Sequence, residues 1–245
     1  KKGFYGDSMK AIGINSFGGS DVLELIDTSE PAINSTQVLV DIYATSVNPV
    51  DSKVRQGLYH NNKSVTFPYF LGRDFSGVIK ACGTSISQFK IGDPVFGVLA
   101  PGCEGTYLET LSIEASLIAH KPNDLPHIEA AAIVLAGLTS LVAIEDTLKL
   151  QANERILIHG GAGGVGSFAV QLAHHIGSEV ITTASLANHT YLKYLGADQV
   201  IDYNVEDFSN ILSDIDVVFD LIGGKTHQRS HNVLKSNGRM AYIAP

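Results

Sequence analysis

Hydrophobic and polar residues follow different rhythms in the two halves of the chain. In the first half, Val38, Val40 and Ile42 occupy every second position, which is typical of a half-buried strand. Glycines then interrupt the sequence repeatedly between residues 57 and 105, and the apolar segments between them are short. This pattern predicts a compact barrel of short strands.

The second half alternates between strand-like and helix-like segments. An apolar strand at 156–159 leads into a glycine-rich turn, and Phe168, Leu172 and Ile176 then recur at helical spacing until Gly177. Further strands are predicted at 179–184, 199–202, 216–221 and 239–244. Five strands with helical or loop connections between them are typical of a doubly wound parallel sheet.

The longest stretch without a charged residue runs from Ala130 to Ile144. Its 15 residues are fewer than the about 18 that a membrane span requires, so we expect a pair of buried helices there. The start of the chain lacks the apolar segment of a secretory signal. These observations predict a cytoplasmic protein with no membrane partner.

Composition narrows the function classes further. Hydrophobic residues make up 44% and charged residues 17% of the 245 residues, which excludes a disordered chain. The net charge of −8 argues against a nucleic-acid partner, which needs clustered cations. The chain has two cysteines, which excludes a cysteine-rich zinc module and favours a reducing compartment.

The turn after the strand at 156–159 contains the most informative motif. Residues 161–166 read Gly-Ala-Gly-Gly-Val-Gly, which matches G-x-G-x-x-G between a strand and a helix. The glycines allow a tight turn, close approach of a pyrophosphate and close packing of the helix, and the helix start attracts the anion. A structural turn without a ligand is the alternative. The predicted dinucleotide-binding residues are Gly161, Gly163, Gly164, Val165 and Gly166.

The end of the next strand indicates which dinucleotide is bound. An NAD site has a carboxylate about 20 residues beyond the turn, which binds the ribose 2′-hydroxyl. Residues 182–187 contain no acid, whereas the hydroxyls of Thr183 and Ser185 could donate to a 2′-phosphate. The nearest cationic candidates are His189 and Lys193. The sequence therefore favours NADP over NAD, the alternative being that these hydroxyls face solvent without a partner.

Several motifs, taken in their order and spacing, resemble one family. They are the segments 48–51 (Asn-Pro-Val-Asp), 72–78, 91–95, 130–131 and 136–139, together with the glycine turn. From Met9 onward the chain resembles the medium-chain dehydrogenase/reductase superfamily, most closely its zinc-independent quinone oxidoreductase branch. The resemblance implies an α/β protein with a GroES-like β-barrel domain at 9–125 and a doubly wound Rossmann domain at 126–245.

The resemblance also implies an active site in the cleft between the domains and assembly as a homodimer or homotetramer. Family members continue through a sixth Rossmann strand, whereas this chain stops at Pro245, just after the fifth. Either the chain is a fragment or the protein lacks that continuation, and we favour the fragment.

The zinc ligands of metal-dependent relatives are replaced in this chain. Asn48 stands where those relatives have cysteine, and Arg73 and Asp74 stand where they have histidine and glutamate. These residues lack the thiolate and imidazole groups that a catalytic zinc needs. His227 and His231 could share a helix face, but a third ligand is missing. We therefore predict no metal site.

Without a metal, the resemblance implies that hydride passes from NADPH to a quinone or an α,β-unsaturated carbonyl. The protein would align the reactants and donate hydrogen bonds to the oxygen that becomes negative. By family position, the catalytic candidates are Asn48, Asp51 and Tyr59. Family position also places Thr139, Tyr203 and Gly223 near the cofactor.

Alternatives remain for the residues and for the protein. Asn48 is also a good turn residue before proline, Asp51 could cap a helix, and Tyr59 could be a half-buried aromatic. The protein could instead be a non-catalytic NADP-binding structural or regulatory protein, or an enoyl-type reductase of the same superfamily. A zinc alcohol dehydrogenase is disfavoured by the missing ligands.

Overall fold

The computed structural model describes residues 8–58, 65–100, 102–103 and 105–243. It divides into two compact units, Lys1–Leu135 and Ala136–Pro245. The domain boundary expected between residues 125 and 126 stays a prediction.

The first unit consists of short antiparallel strands in two sheets. The strands are β1 (Ser8–Ile14), β2 (Glu24–Ser29), β3 (Gln37–Thr45), β4 (Tyr69–Phe70), β5 (Asp74–Cys82), β6 (Pro94–Val98), β7 (Thr110–Glu114) and β8 (Ile118–His120). Their order is β2-β1-β4 in one sheet and β7-β3-β5-β6-β8 in the other. Helix α1 (Pro49–Arg55) follows β3. The alternating residues Val38 and Val40 of β3 are fully buried and pack with Phe75 of β5.

The second unit contains a five-stranded parallel sheet. Its strands are β9 (Arg155–His159), β10 (Glu179–Ala184), β11 (Gln199–Asp202), β12 (Ile215–Asp220) and β13 (Leu234–Tyr242). Their order is β11-β10-β9-β12-β13. The helices are α2 (His127–Leu141), within which the division between the units falls, α3 (Gly164–Ile176), α4 (His189–Tyr194), α5 (Phe208–Ile211) and α6 (Gly224–Ser230).

Apolar clusters lie on both faces of this sheet. Successive residues of β9 point to opposite faces, so Ile156 and Ile158 pack with Val170 of α3, whereas Leu157 packs with Phe208 of α5. All three β9 residues are fully buried. Burial on both faces explains why β9 reads as a continuous apolar segment.

The apolar segment 130–144 forms one helix, so the expected pair of helices is wrong. Helix α2 continues directly into a π-helical turn at Val142–Thr147. Gly137 does not interrupt it, because a glycine inside a helix costs only about 1 kcal/mol. The helix His127–Thr147 is long and apolar enough to cross a membrane, and a buried helix of a soluble protein meets the same criterion. The absence of a membrane partner stays a prediction.

Candidate functional site

The glycine turn lies at the carboxyl end of β9, the central strand of the parallel sheet. β9 ends at His159 and α3 begins at Gly164. Gly163 is the residue before the helix and has no side chain to cap the first amides. Those amides lack partners inside the helix, and the helix dipole adds positive potential there. The backbone amides at this turn can therefore donate hydrogen bonds to a bound anion.

Two glycines of the motif differ in what an added Cβ would contact. A Cβ on Gly166 would lie 2.7 Å from the Cα of Gly161, so a larger residue would push α3 away from the turn. At Gly163, the nearest atom to such a Cβ among the described residues is the Gly160 carbonyl oxygen, at 3.4 Å. The φ of −76° at Gly163 also suits any residue. The fold would therefore accept a side chain at position 163, and glycine there leaves that space empty.

A cavity of about 730 Å³ opens beside this turn. Its size is within the range of small-molecule and cofactor sites. Thr139 lies elsewhere, in a pocket of about 350 Å³. Of the other predicted residues, Gly161 lies in the glycine turn, and Gly164, Val165 and Gly166 lie in the first turn of α3. The predicted cofactor residues that line the larger cavity are Gly163, Thr183, Ser185 and Tyr203.

A second turn, after β12, borders the same cavity through Ile222. The neighbouring Gly223 has a φ of 78°, in the left-handed region that favours glycine. The amides of Ile222 and Gly223 donate to the buried Asp220 carboxylate at 2.9 and 3.0 Å. The His227 Nδ1 lies 3.2 Å from the other oxygen of that carboxylate. Asp220 thus fixes the backbone at the predicted cofactor residue Gly223.

A chain of hydrogen bonds in the cavity wall involves His159, which lies just before the glycine motif and is not part of it. The buried ring has its Nδ1 3.2 Å from Thr183 Oγ1 and its Nε2 3.0 Å from Ser230 Oγ. Ser230 donates its only hydroxyl hydrogen to the Thr226 carbonyl, so it must accept from the Nε2–H group. The unprotonated Nδ1 then accepts from Thr183, whose oxygen accepts the Gly160 amide at 3.2 Å.

The protonation of this ring changes the role of Thr183. Burial lowers the pKa of His159 to about 4, so the ring is neutral at pH 7. Because Thr183 donates its only hydrogen to the ring, it has none left for a phosphate. In this arrangement Thr183 supports the turn, and its role as a phosphate donor stays a prediction. Ser185 differs, because its oxygen accepts from Asn188 Nδ2 at 3.2 Å and its own hydrogen has no acceptor among the described residues.

Charged side chains also line the cavity. Arg229 forms an ion pair with Asp207, with 2.8 Å between nitrogen and oxygen. The Glu206 carboxylate accepts the Asp202 amide at 3.3 Å. Both lining carboxylates follow β11. The position at the end of β10, where an NAD site has its acid, holds Ser185 instead.

In the first unit, Asn48 belongs to a buried polar network around Asp74. The Asn48 Nδ2 donates to Ser46 Oγ and to Asp74 Oδ2, each at 3.1 Å, which occupies both amide hydrogens. The fully buried Asp74 also accepts from the amide and hydroxyl of Ser46. The side chain of Asn48 is therefore held in place by groups of its own unit.

Asp51 is held beside this network by two donors. Its Oδ2 accepts the Asn48 amide at 2.7 Å, which caps α1, and the Tyr107 hydroxyl at 2.9 Å. Burial raises the pKa of the Asp51 carboxyl, although the hydrogen bonds from Asn48 and Tyr107 oppose the rise. Burial and the neighbouring Asp51 also raise the pKa of Tyr107, so Tyr107 acts as a donor.

The sequence did not reveal Tyr107, because it lies 56 residues from Asp51 along the chain and belongs to no motif. The other oxygen of Asp51, Oδ1, has no hydrogen-bond partner among the described residues. Tyr59 lies outside the described residues. Contacts of Asn48, Asp51 and Tyr59 with a substrate stay predictions.

Two family descriptions match the chain. An alcohol dehydrogenase GroES-like domain matches residues 34–123, and a zinc-binding dehydrogenase domain matches residues 164–245. These matches fall in the β-rich first unit and the parallel-sheet second unit, respectively.

Individual proteins are similar to nearly the whole chain. A mitochondrial NAD(P)H oxidoreductase of Danio rerio is 35% identical over 93% of the chain, and a chloroplastic NADPH-dependent alkenal/one oxidoreductase of Arabidopsis thaliana is 35% identical over 96%. The chain spans 64% and 62% of the lengths of these two relatives. The solved quinone oxidoreductase from Coxiella burnetii is 38% identical with a TM-score of 0.91, covering 97% of this chain and 76% of that one.

Proposed function

The chain belongs to the quinone oxidoreductase branch of the medium-chain dehydrogenase/reductase superfamily, and we propose that it is a metal-independent NADPH-dependent reductase of quinones or α,β-unsaturated carbonyls. The predicted fold, a GroES-like domain followed by a Rossmann-type parallel sheet, is confirmed. Because the chain spans less than two thirds of the length of these two curated relatives, the activity, substrates and partners of the whole protein belong to the proposal.

The observation that supports this function best is the unfilled space at Gly163, which lines the cavity at the start of α3. A pyrophosphate fits this place because amides and the helix dipole can meet its charge without an intervening Cβ. Once bound, NADPH supplies a hydride for the reduction. Ser185 would donate a hydrogen bond to the 2′-phosphate of NADPH. The turn at Gly163 would bind the pyrophosphate, and the turn at Gly223 would also contact the cofactor.

Zinc does not fit the residues present, although the matched family description names it. Asn48 and Arg73 provide neither thiolate nor imidazole, and the Asp74 carboxylate is already bonded to Ser46 and Asn48. The described residues contain no cluster of three metal-binding side chains. The proposed reaction therefore uses no metal.

The network around Asp74 supports a positioning and donor role for Asn48. Asp74 holds one amide hydrogen of Asn48, while Ser46 holds the other. We infer that the acceptor oxygen replaces Ser46 as the partner of the second hydrogen as that oxygen becomes negative. Asp74 keeps the amide group oriented throughout, so the second hydrogen of Asn48 is the one that changes its partner.

The proposed function is tested by following NADPH oxidation with menadione and, separately, with a short-chain enal. We expect turnover with at least one of the two acceptor classes, at a rate that a metal chelator leaves unchanged. Omission of the acceptor is the control for background oxidation. If NADPH binds but no acceptor in a broad panel of quinones, enals and enones is reduced, the proposed enzyme function is wrong.

A non-catalytic NADP-binding role is the second candidate. It is favoured by the two hydrogen bonds that already occupy both amide hydrogens of Asn48. The same assay separates the two, because this role predicts tight NADPH binding without turnover. The relatives include mitochondrial and chloroplastic proteins, so the cytoplasmic location stays a prediction, as does the homo-oligomer.

Cofactor preference is tested at Ser185, at the end of β10. We expect Ser185→Asp to weaken NADPH binding about tenfold to hundredfold, since a carboxylate repels the 2′-phosphate and the hydroxyl donor is lost. NADH binding should hold or improve, because the carboxylate can accept from a ribose 2′-hydroxyl. Ser185→Asn, which has similar shape and no charge, should lose less. Titration of each variant with both nucleotides gives the result, and equal losses for both would contradict it.

A further inference from the structure

We propose that His159 is a positioning residue for the cofactor, holding the glycine turn in place through Thr183 and helix α6 in place through Ser230, the last residue of that helix. The inference rests on the proposed function, because it concerns the same cavity. His159 lines that cavity together with Thr183 and Thr226. Its role is to place backbone groups that would contact the dinucleotide.

The hydrogen bonds around His159 join three elements with every donor direction fixed. The Gly160 amide donates to Thr183, Thr183 donates to Nδ1 of His159, and Nε2–H of His159 donates to Ser230. Ser230 then donates to the Thr226 carbonyl inside α6. Each hydroxyl here uses one hydrogen to donate and its oxygen to accept. The ring therefore links Thr183 of β10 on one side to Ser230 of α6 on the other.

An imidazole suits this place because it offers an acceptor and a donor on separate sides of a rigid ring. The ring is 1% exposed and packs edge-on against Phe208, with 4.5 Å between centroids. A purely apolar side chain would leave the hydroxyls of Thr183 and Ser230 buried without these partners, which is costly. The amide of Gly160, the first in the turn, donates to the Thr183 hydroxyl, which would then no longer be held in a fixed position.

The arrangement also requires that the ring stay neutral. Protonation would make Nδ1 a donor, so Thr183 could no longer donate to it. Two charged groups act on the ring from neighbouring elements: Asp220 on β12 favours protonation and Arg229 on α6 opposes it. Burial has the larger effect and keeps the ring neutral at pH 7.

The test compares His159→Asn, His159→Gln and His159→Leu with the parent protein. An Asn side chain can keep an acceptor near the Nδ1 position, a Gln can keep a donor near the Nε2 position, and a Leu keeps neither. We expect the Leu variant to bind NADPH about tenfold to hundredfold more weakly, with Asn closest to the parent. At saturating NADPH, the kcat should change far less than the KM for NADPH.

A second measurement does not depend on cofactor binding. In the parent, nitrogen NMR should show His159 protonated on Nε2 alone at neutral pH, and the Gly160 and Gly163 amide resonances should shift more in the Leu variant than in the Asn variant. Unmoved amide resonances, an Nδ1-protonated ring, or equal NADPH binding by all variants would overturn the proposal. If the resonances shift as expected but the parent does not bind NADPH, the proposed function fails while the positioning of the turn by His159 stands. If the Leu variant does not fold, the Asn and Gln variants still provide the comparison.

Discussion

Replacing Gly163 by Asp should reduce NADPH binding by about a hundredfold or more without lowering the stability of the protein. The fold accepts a Cβ at this position, because the nearest atom is 3.4 Å away and the backbone conformation is ordinary. Asp is a favourable residue before a helix, and its charge suits the helix dipole, so the free energy of unfolding should rise by about 0.5–1 kcal/mol. The same carboxylate would take the place of the pyrophosphate and repel it. Titration with NADPH and urea unfolding measure the two effects.

Two further variants separate the effect of charge at position 163 from the effect of a side chain in the turn. Gly163→Asn has nearly the shape of Asp and also caps helices, so it should weaken NADPH binding less than Gly163→Asp. Gly166→Ala should instead lower the free energy of unfolding by about 1–3 kcal/mol, because its Cβ meets the backbone of Gly161. Unchanged NADPH binding by Gly163→Asp would show that the turn does not hold the pyrophosphate.

His159 should make the protein less stable in acid by about 3 kcal/mol between pH 6.5 and pH 4. Its pKa is about 4 in the folded state, below the ordinary value of 6.5, so the unfolded chain takes up a proton first. The stabilisation is complete above pH 6.5 and is lost as the pH falls to 4. Urea unfolding of the parent and of His159→Asn across this range measures the effect.

The comparison with His159→Asn removes the contributions of other groups. Asp51 acts in the opposite direction, because its raised pKa makes the folded state take up a proton more readily than the unfolded chain. That contribution is common to both proteins and cancels in their difference. As the pH falls, the free energy of unfolding should therefore decrease more in the parent than in His159→Asn. A difference that is constant with pH would contradict the assignment of a neutral buried ring.

Periodicity predicted the second unit well because its strands are buried on both faces. The strands predicted at 179–184 and 199–202 have the bounds of β10 and β11. Gly177 ends α3 in the left-handed conformation, with a φ of 90°, as its position at a helix end predicts. The segment 130–144 was misjudged, because an apolar segment has no internal boundary from which one helix can be told from two.

The polar contacts of the site could not be predicted from local patterns. His159 meets its partners 24 and 71 residues away, and Asn48 meets Asp74 26 residues away. The sequence predicts Thr183 as a phosphate donor because it lies near the end of the strand after the glycine turn, where no acid is present. Its contact with His159 depends on the register of β10 beside β9, which pairs the two residues on neighbouring strands.

Among the residues that the structure describes, those that line the large cavity all belong to the second unit. A ligand that binds only the folded form stabilises it in proportion to the logarithm of its concentration, and here that gain falls on one half of the chain. The resistance of this half to proteolysis in a cell would therefore follow the nucleotide pool.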